Sequence, residues 1–422
     1  MLRVHNNSLG IYIAVPFCRS KCTYCNFASG VYSAGEHERY VRRLIDDLTG
    51  AGAWASHTGV DLPRTVDTVY LGGGTPTLLA PELIRQLFGV LRTVFDVDNG
   101  AEITVECAPG QVPDATLDAL AEGGVNRVSL GVQSFMDREA RETGRLHNRA
   151  VVLEDLRRLR TAGIENLNVD LIAGLPGQTF PSWEESLQVL IDSGVPHASV
   201  YMLEVDEDSR LGREMLSGGA RYHAGLVPTD DAIARMYETA IERLESAGLA
   251  QYEISNFGRA GFASQHNLRY WKRRPYLGVG LDTSSALRAS APSSDFVVRA
   301  TTTDDLKAYL DGGEDAETAR LSPDQQHEEA WFLGLRLNAG VEIADLEEEF
   351  GRDTVSPALD VAARLEADGL LVSDGRKIRL TERGRLLSND VLQEYRLLRR
   401  PPGCAARESF SQQASSPRLV RM

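Results

Sequence analysis

Three cysteines, Cys18, Cys22 and Cys25, stand within the run Val15-Pro16-Phe17-Cys18-Arg19-Ser20-Lys21-Cys22-Thr23-Tyr24-Cys25-Asn26-Phe27. The run follows a short apolar segment, Leu9 to Val15, that reads as a strand. Thiolates spaced four and three residues apart on one loop can hold three irons of a 4Fe-4S cluster, and no fourth protein ligand lies nearby. One iron is then left open, so a small chelating molecule can bind the cluster directly. A structural zinc site or a reactive thiol pair would use the same residue type. Zinc favours four protein ligands, however, and no complementary Cys or His pair is spaced to complete such a site.

The elements that must hold this loop follow an α/β pattern. Short β-branched runs alternate with segments of helical period over residues 1–250, as in a parallel sheet wound with helices. Strands are expected at Leu9 to Val15, Val66 to Leu71, Glu102 to Cys107, Arg127 to Val132, Glu165 to Ile172 and Ala198 to Leu203. A helix is expected from Ala34 to Leu48, with Tyr40, Val41, Leu44, Ile45 and Leu48 on one face, and a later one carries Ile233, Met236, Tyr237, Ala240, Ile241 and Leu244. In a parallel β/α barrel the active site forms at the carboxyl ends of the strands. The unusual residues fall there: the cysteine loop, Gly72-Gly73-Gly74-Thr75-Pro76, Glu106, Gln133 and Asp170 each end one strand in turn. Singly, each is more often a turn or a helix cap. Together they resist explanation by packing.

The CxxxCxxC spacing followed by an aromatic residue resembles the signature of the radical SAM superfamily. The resemblance implies a partial (β/α)6 barrel, with the amino and carboxylate groups of S-adenosylmethionine on the open iron. Carried over residue by residue, it implies Tyr12, Tyr24, Gly73, Gly74, Thr75, Glu106, Gln133, Arg145 and Asp170 as contacts of S-adenosylmethionine. The residue types suit that ligand. Gly73 and Gly74 permit close backbone approach, carboxylates accept from ribose hydroxyls, Gln133 donates and accepts, and Arg145 can pair with a carboxylate.

A closer resemblance rests on Gly131-Val132-Gln133-Ser134-Phe135, Asp170-Leu171-Ile172-Ala173-Gly174-Leu175-Pro176-Gly177-Gln178-Thr179 and His266-Asn267-Leu268-Arg269-Tyr270-Trp271. These strings are similar to the group that holds the oxygen-independent coproporphyrinogen III dehydrogenases and the HemW-type heme chaperones. The dehydrogenases carry a fourth cysteine two residues after the third, where this chain has Phe27, and a longer amino-terminal extension. Both features point to the chaperone branch. Its HNxxYW motif implies heme binding by His266, Asn267, Tyr270 and Trp271, since His is a common axial ligand to heme iron and aromatic faces can cover a porphyrin. The group commonly shows a Gly-Ala-His-Ser-like turn soon afterwards. Here the residues are Gly278-Val279-Gly280-Leu281-Asp282-Thr283-Ser284-Ser285, with no histidine.

From about Ser322 the pattern changes to helices at Glu328 to Leu335, Ile343 to Phe350 and Val355 to Ala367, then strands at Leu370 to Ser373 and Lys377 to Leu380 and a last helix from Thr381 to Tyr395. This reads as a winged-helix-like α+β domain over 321–398, joined to the barrel by a connecting region at 251–320 and followed by a disordered tail at 399–422. The would-be recognition helix holds Asp360, Arg364, Glu366 and Asp368 without basic excess, and the net charge is -15, so nucleic acid is not an expected partner. Five cysteines, three in one loop, argue against a disulfide framework. No apolar run reaches the roughly 18 residues of a membrane span, and a cytoplasmic place is expected. The leading expectation is a heme chaperone, monomeric or homodimeric, that binds a 4Fe-4S cluster and S-adenosylmethionine and hands heme to respiratory acceptor proteins. The alternative is a coproporphyrinogen III dehydrogenase acting through a 5'-deoxyadenosyl radical. A winged-helix iron-sulfur regulator of DNA ranks third.

Overall fold

The computed structural model describes residues 8–290, 295–312 and 316–396. The expected tail at 399–422, the first seven residues and the serine-rich positions 291–294 lie outside the described residues. Six strands, β1 (Leu9–Val15), β2 (Thr65–Gly73), β3 (Asp96–Cys107), β4 (Arg127–Gln133), β5 (Asn166–Ala173) and β6 (His197–Met202), pair in parallel and in chain order. Helices occupy every crossover. The first runs past the expected Leu48 to Thr58, because Ala51 and Ala55 continue its buried face until Gly59 ends it in the left-handed conformation at φ 73°.

Residues alternate sharply along these strands. Ile11, Ile13 and Val15 of β1, Val69 and Leu71 of β2, Ile103 and Val105 of β3, Val128, Leu130 and Val132 of β4, and Leu167, Val169 and Leu171 of β5 belong to one apolar core packed beneath the helices. The residues between them, among them Tyr12, Tyr70, Glu106, Arg127, Ser129, Gln133, Asn168, Asp170 and Ser199, line a cavity inside the curved sheet. A parallel strand covered on both faces usually reads as a continuous apolar run. Here a period of two persists because the inner face bounds a polar lumen.

The barrel is not closed: β1 and β6 do not pair, and the sheet continues from each. Beyond β6 lie β7 (Ala250–Gln251) and β8 (Asn256–Gly258), both antiparallel. Beyond β1 lie β9 (Tyr276–Val279), parallel to it, and then antiparallel β10 (Ser284–Arg288), β11 (Val297–Thr301) and β12 (Glu317–Leu321). Residues 251–320 therefore complete the barrel sheet. The chain passes from one open edge to the other through the helix Gln265–Trp271, which Arg269 anchors by an ion pair to Asp67 and hydrogen bonds to the carbonyls of Ser8 (3.0 Å) and Pro275 (2.8 Å).

The carboxyl-terminal unit combines helices Pro323–Gly334, Ile343–Phe350 and Arg352–Ala367 with a small antiparallel sheet of β13 (Val341–Glu342), β14 (Leu371–Ser373) and β15 (Lys377–Leu380). It has a core of its own, in which Trp331 stacks on Tyr395 at 4.9 Å between ring centroids. The single last helix expected at Thr381 to Tyr395 is two, Glu382–Leu386 and Ser388–Arg396. The break falls at Leu387, whose backbone (φ -104°, ψ 26°) leaves the helical range. Among the described residues, no helix is long and apolar enough to cross a membrane.

Candidate functional site

Every candidate residue named from the sequence lines one cavity of about 1590 Å³. Pockets for one small molecule usually measure roughly 300–1,000 Å³. The space therefore suits more than one ligand.

At its mouth the cysteine loop is held chiefly by main-chain hydrogen bonds. Gly30 N donates to Pro16 O (2.9 Å), Cys18 N to Gly30 O (2.8 Å) and Thr23 N to Thr143 O (3.1 Å), while Lys21 Nζ braces the far side against the carbonyls of Phe27 (3.0 Å) and Ser29 (3.1 Å). The thiols carry few bonds of their own. Cys25 Sγ lies 4.0 Å from Ser29 Oγ, and Arg145 Nη1 donates to Cys22 Sγ at 3.4 Å. Burial pushes the Cys18 and Cys25 thiols up, a penalty that iron coordination removes by deprotonating them outright. Among the described residues no three His, Cys, Asp or Glu side chains converge on a point as a single metal ion requires.

The glycine run serves this loop before any ligand. A Cβ on Gly74 would lie 2.7 Å from Val15 O and 2.8 Å from Phe17 O, so the end of β2 presses directly on the chain entering Cys18. Thr75 N donates to Phe17 O at 2.7 Å. Gly73, at φ 94°, turns its N–H onto Glu106 Oε2 at 3.0 Å. The sequence reading gave both glycines to ligand approach; in the structure Gly74 is required by packing.

Behind the loop, Glu106 also accepts from Tyr70 OH (2.8 Å), and burial, opposed by that bond and reinforced by Asp170, raises its carboxyl to about 7. Asp170 accepts from Asn168 Nδ2 (2.7 Å) and Ser129 Oγ (3.2 Å), and burial raises it too. Gln133 sits on a register shift of β4 at φ 70°, a left-handed value rare for a side chain larger than glycine. The bulge turns it toward the lumen. Burial works against the charge of Arg145, yet Cys22 and Tyr24 nearby hold it above its ordinary value, and it donates to Gly131 O. Tyr12 stacks with Tyr70 at 5.8 Å, and burial keeps Tyr12 and Tyr24 as neutral phenols.

The expected heme ligand is held within the protein. His266 is 1% exposed, and both ring nitrogens are engaged: Nδ1 with Thr68 Oγ1 (3.0 Å) and Nε2 with Tyr270 OH (2.8 Å). Burial lowers its basicity to about 3, so the ring is neutral, but no lone pair is free for iron without breaking a buried bond. Its helix begins at Ser264, whose side chain caps Asn267 N, and Glu102 accepts from Gln265 N (3.0 Å) and His266 N (2.9 Å). Tyr270 meets Tyr276 edge-on at 4.7 Å, and Trp271 lies under Arg336. Ser284, at the position where relatives carry histidine, also lines the cavity.

Several lumen residues escaped the sequence reading. Asn168 Oδ1 pairs with His197 Nδ1 (2.6 Å), and His197 Nε2 with Tyr252 OH (2.8 Å), which accepts from Ser264 N (3.1 Å). An unbroken chain of hydrogen bonds thus runs from Asp170 to the start of the helix Gln265–Trp271. Asn168 Nδ2 donates to Asp170, so Asn168 Oδ1 accepts from His197; this fixes the protonated nitrogen as Nδ1 and leaves Nε2 to accept from Tyr252 OH. Polar residues at every second position of β4 (Arg127, Ser129, Gln133) and β5 (Asn168, Asp170) were the signal for this lumen.

The partial barrel and the cysteine mouth define the class. Residues 12–190 match the radical SAM superfamily and residues 321–387 the HemN carboxyl-terminal domain. The fold is similar to that of Escherichia coli coproporphyrinogen III oxidase HemN, with TM-score 0.77, 22% identity, and coverage of 92% of this chain and 90% of that one. The heme chaperone HemW of Bacillus subtilis is 33% identical over 91% of this chain and 98% of its own length, and that of Escherichia coli is 30% identical over 92% and 98%. This chain belongs to the heme chaperone HemW family.

Proposed function

We propose that the chain is a heme chaperone. Cys18, Cys22 and Cys25 hold a 4Fe-4S cluster, and S-adenosylmethionine lies against the open iron between Tyr12, Tyr24, Gly73, Thr75, Glu106, Gln133, Arg145 and Asp170. Heme occupies the remaining space and passes to heme-accepting respiratory proteins in the cytoplasm, whether the chain acts alone or as a homodimer. When bound, the cluster offers an iron to which a small chelating molecule can bind. The chain's own residues do the rest: Arg145 offers positive charge beside the thiolates, and Glu106 and Asp170 accept hydrogen bonds behind them.

The observation that supports this reading best is the size of the cavity, about 1590 Å³, lined by every residue assigned to the cluster and to S-adenosylmethionine. The test is anaerobic cluster reconstitution followed by heme titration and by incubation with coproporphyrinogen III, S-adenosylmethionine and a reductant. Stoichiometric heme uptake without porphyrinogen turnover is expected. Turnover to protoporphyrinogen would make the chain a dehydrogenase despite Phe27.

A further inference from the structure

The cavity wall extends beyond the residues assigned to the cluster and to S-adenosylmethionine. Along its wall, Arg127 Nε, Glu253 Oε2, Trp271 Nε1 and Arg336 Nε are buried without a hydrogen-bond partner among the described residues. Folded proteins pair nearly all such atoms, so unpaired ones beside a cavity point to bonding that a bound molecule can complete. Arg336 is the accessible cation of this group. Its guanidinium carbon lies 4.5 Å from the centroid of the Trp271 ring, and its Nε has no hydrogen-bond partner among the described residues.

The position of Arg336 is rigid. It follows the helix Pro323–Gly334 at the seam between the two units, where Arg336 O accepts from Ile254 N (3.2 Å) and Leu337 bridges to Glu253. Stacking on an indole orients the planar fork before any ligand arrives. Glu253 is a competing carboxylate on the same cavity wall. It is fully buried, its Oε1 already accepts from Ser255 N (3.1 Å) and from Asn256 Nδ2, and no oxygen of it reaches Arg336 within ion-pair distance. Burial pushes the Glu253 acid up, against the opposing charge of Arg336, so the carboxyl satisfies the cation only in part. Phe332 and Leu333 line the same part of the cavity. An apolar wall with one oriented guanidinium suits a flat apolar ligand that carries a carboxylate on its edge.

We propose that Arg336, held over Trp271, binds a propionate carboxylate of heme. The proposal rests on the heme-chaperone reading and moves recognition from the iron, which His266 cannot reach without losing a bond, to the edge of the macrocycle.

Heme and its dimethyl ester, which lacks the charged carboxylates, are titrated into the full-length, cluster-loaded chain and into Arg336→Gln and Arg336→Lys, with the Soret band as readout. Wild type prefers heme over the diester. Arg336→Gln loses roughly tenfold or more in heme affinity, the scale of a charge-assisted hydrogen bond, with diester affinity unchanged, and Arg336→Lys retains part of the preference. S-adenosylmethionine binding, unchanged in both variants, reports an intact fold; if Arg336→Gln fails that control, Arg336→Lys and the diester comparison in wild type decide. A preference that persists in Arg336→Gln, or equal binding of heme and diester by wild type, overturns the assignment while leaving the chaperone reading intact. A wild-type chain that binds no heme overturns both.

Discussion

The cysteine loop and the helix Gln265–Trp271 face the same cavity and are held in opposite ways. In the loop the backbone bears most of the hydrogen bonds and the functional atoms are held by weak contacts: Cys25 Sγ lies 4.0 Å from Ser29 Oγ and meets the Phe27 backbone, and Cys22 Sγ meets Arg145 at 3.4 Å and Tyr24. In the helix the functional atoms are the ones that are bonded, at 3.0 and 2.8 Å from the two nitrogens of His266. Metal-binding residue types in a suggestive setting are thus equally present in both regions. What separates them is whether the lone pairs are spent, and sequence spacing reports that for a short loop far better than for a helix that fills a lumen.

The sharpest way to break this contrast is Cys22→Ser. Serine keeps the size and a hydrogen-bonding atom at this position, so the variant should fold normally yet lose nearly all iron and sulfide after anaerobic reconstitution. Wild-type cluster loading in Cys22→Ser would remove the loop from consideration as the cluster site. The mirror experiment is His266→Ala, which deletes a fully buried ring and strands Thr68 and Tyr270. A loss of roughly 3 kcal/mol in urea denaturation is expected, from the cavity and the unpaired hydroxyls, with heme affinity of the folded fraction unchanged. If the stability is barely altered and heme affinity collapses, the helix is a ligand site after all.

Glu106 lies between these extremes, because it is bonded but titratable. Its folded value of about 7 stands above the ordinary 4.5, so the folded chain holds an extra proton between those values. Its contribution to stability is therefore complete below about pH 4.5 and is lost as pH rises through about 7. A ligand that donates hydrogen bonds to the ionised carboxylate gains over the same range. S-adenosylmethionine affinity should rise about tenfold between roughly pH 6 and 8 in wild type and stay flat in Glu106→Gln. An identical pH profile in the two proteins would show that Glu106 does not touch the ligand.

Much of the barrel was legible in the sequence because each of its six parallel strands is a β-branched run closed by a turn, and the ribbon Leu371–Ser373 with Lys377–Leu380 was legible for the same reason. The rest of the sheet was not. β7, β8 and β9 are two, three and four residues long, too short for any periodicity to register, and they exist because the open edges of the barrel need partners. At the site, cysteine spacing was sufficient for the cluster, whereas Gly74 was assigned to a ligand when its missing Cβ makes room for Phe17 O. Glu253 and Arg336 were invisible for a further reason. Their neighbourhood is created by docking the carboxyl-terminal unit on the barrel, and no local pattern encodes a contact between two units.

The finest test of the contrast asks how much of the loop's order depends on side chains at all. Lys21 Nζ is a side chain that ties the two arms of the loop together, through the carbonyls of Phe27 and Ser29 on the segment that follows Cys25. It is partly exposed, so the two bonds together are worth about 1 kcal/mol, well below the burial energy of the barrel. Lys21→Met should leave the thermal midpoint within a degree or two of wild type. The cluster should feel the change more than the fold does, because opening of the Cys25 arm is the step that exposes iron to a chelator. A severalfold faster loss of iron at unchanged global stability is the expected result. Equal rates in the two proteins would mean that the main-chain bonds at Pro16, Cys18, Thr23 and Gly30 alone set the opening of the loop, and the contrast with the side-chain-bonded helix would then be complete.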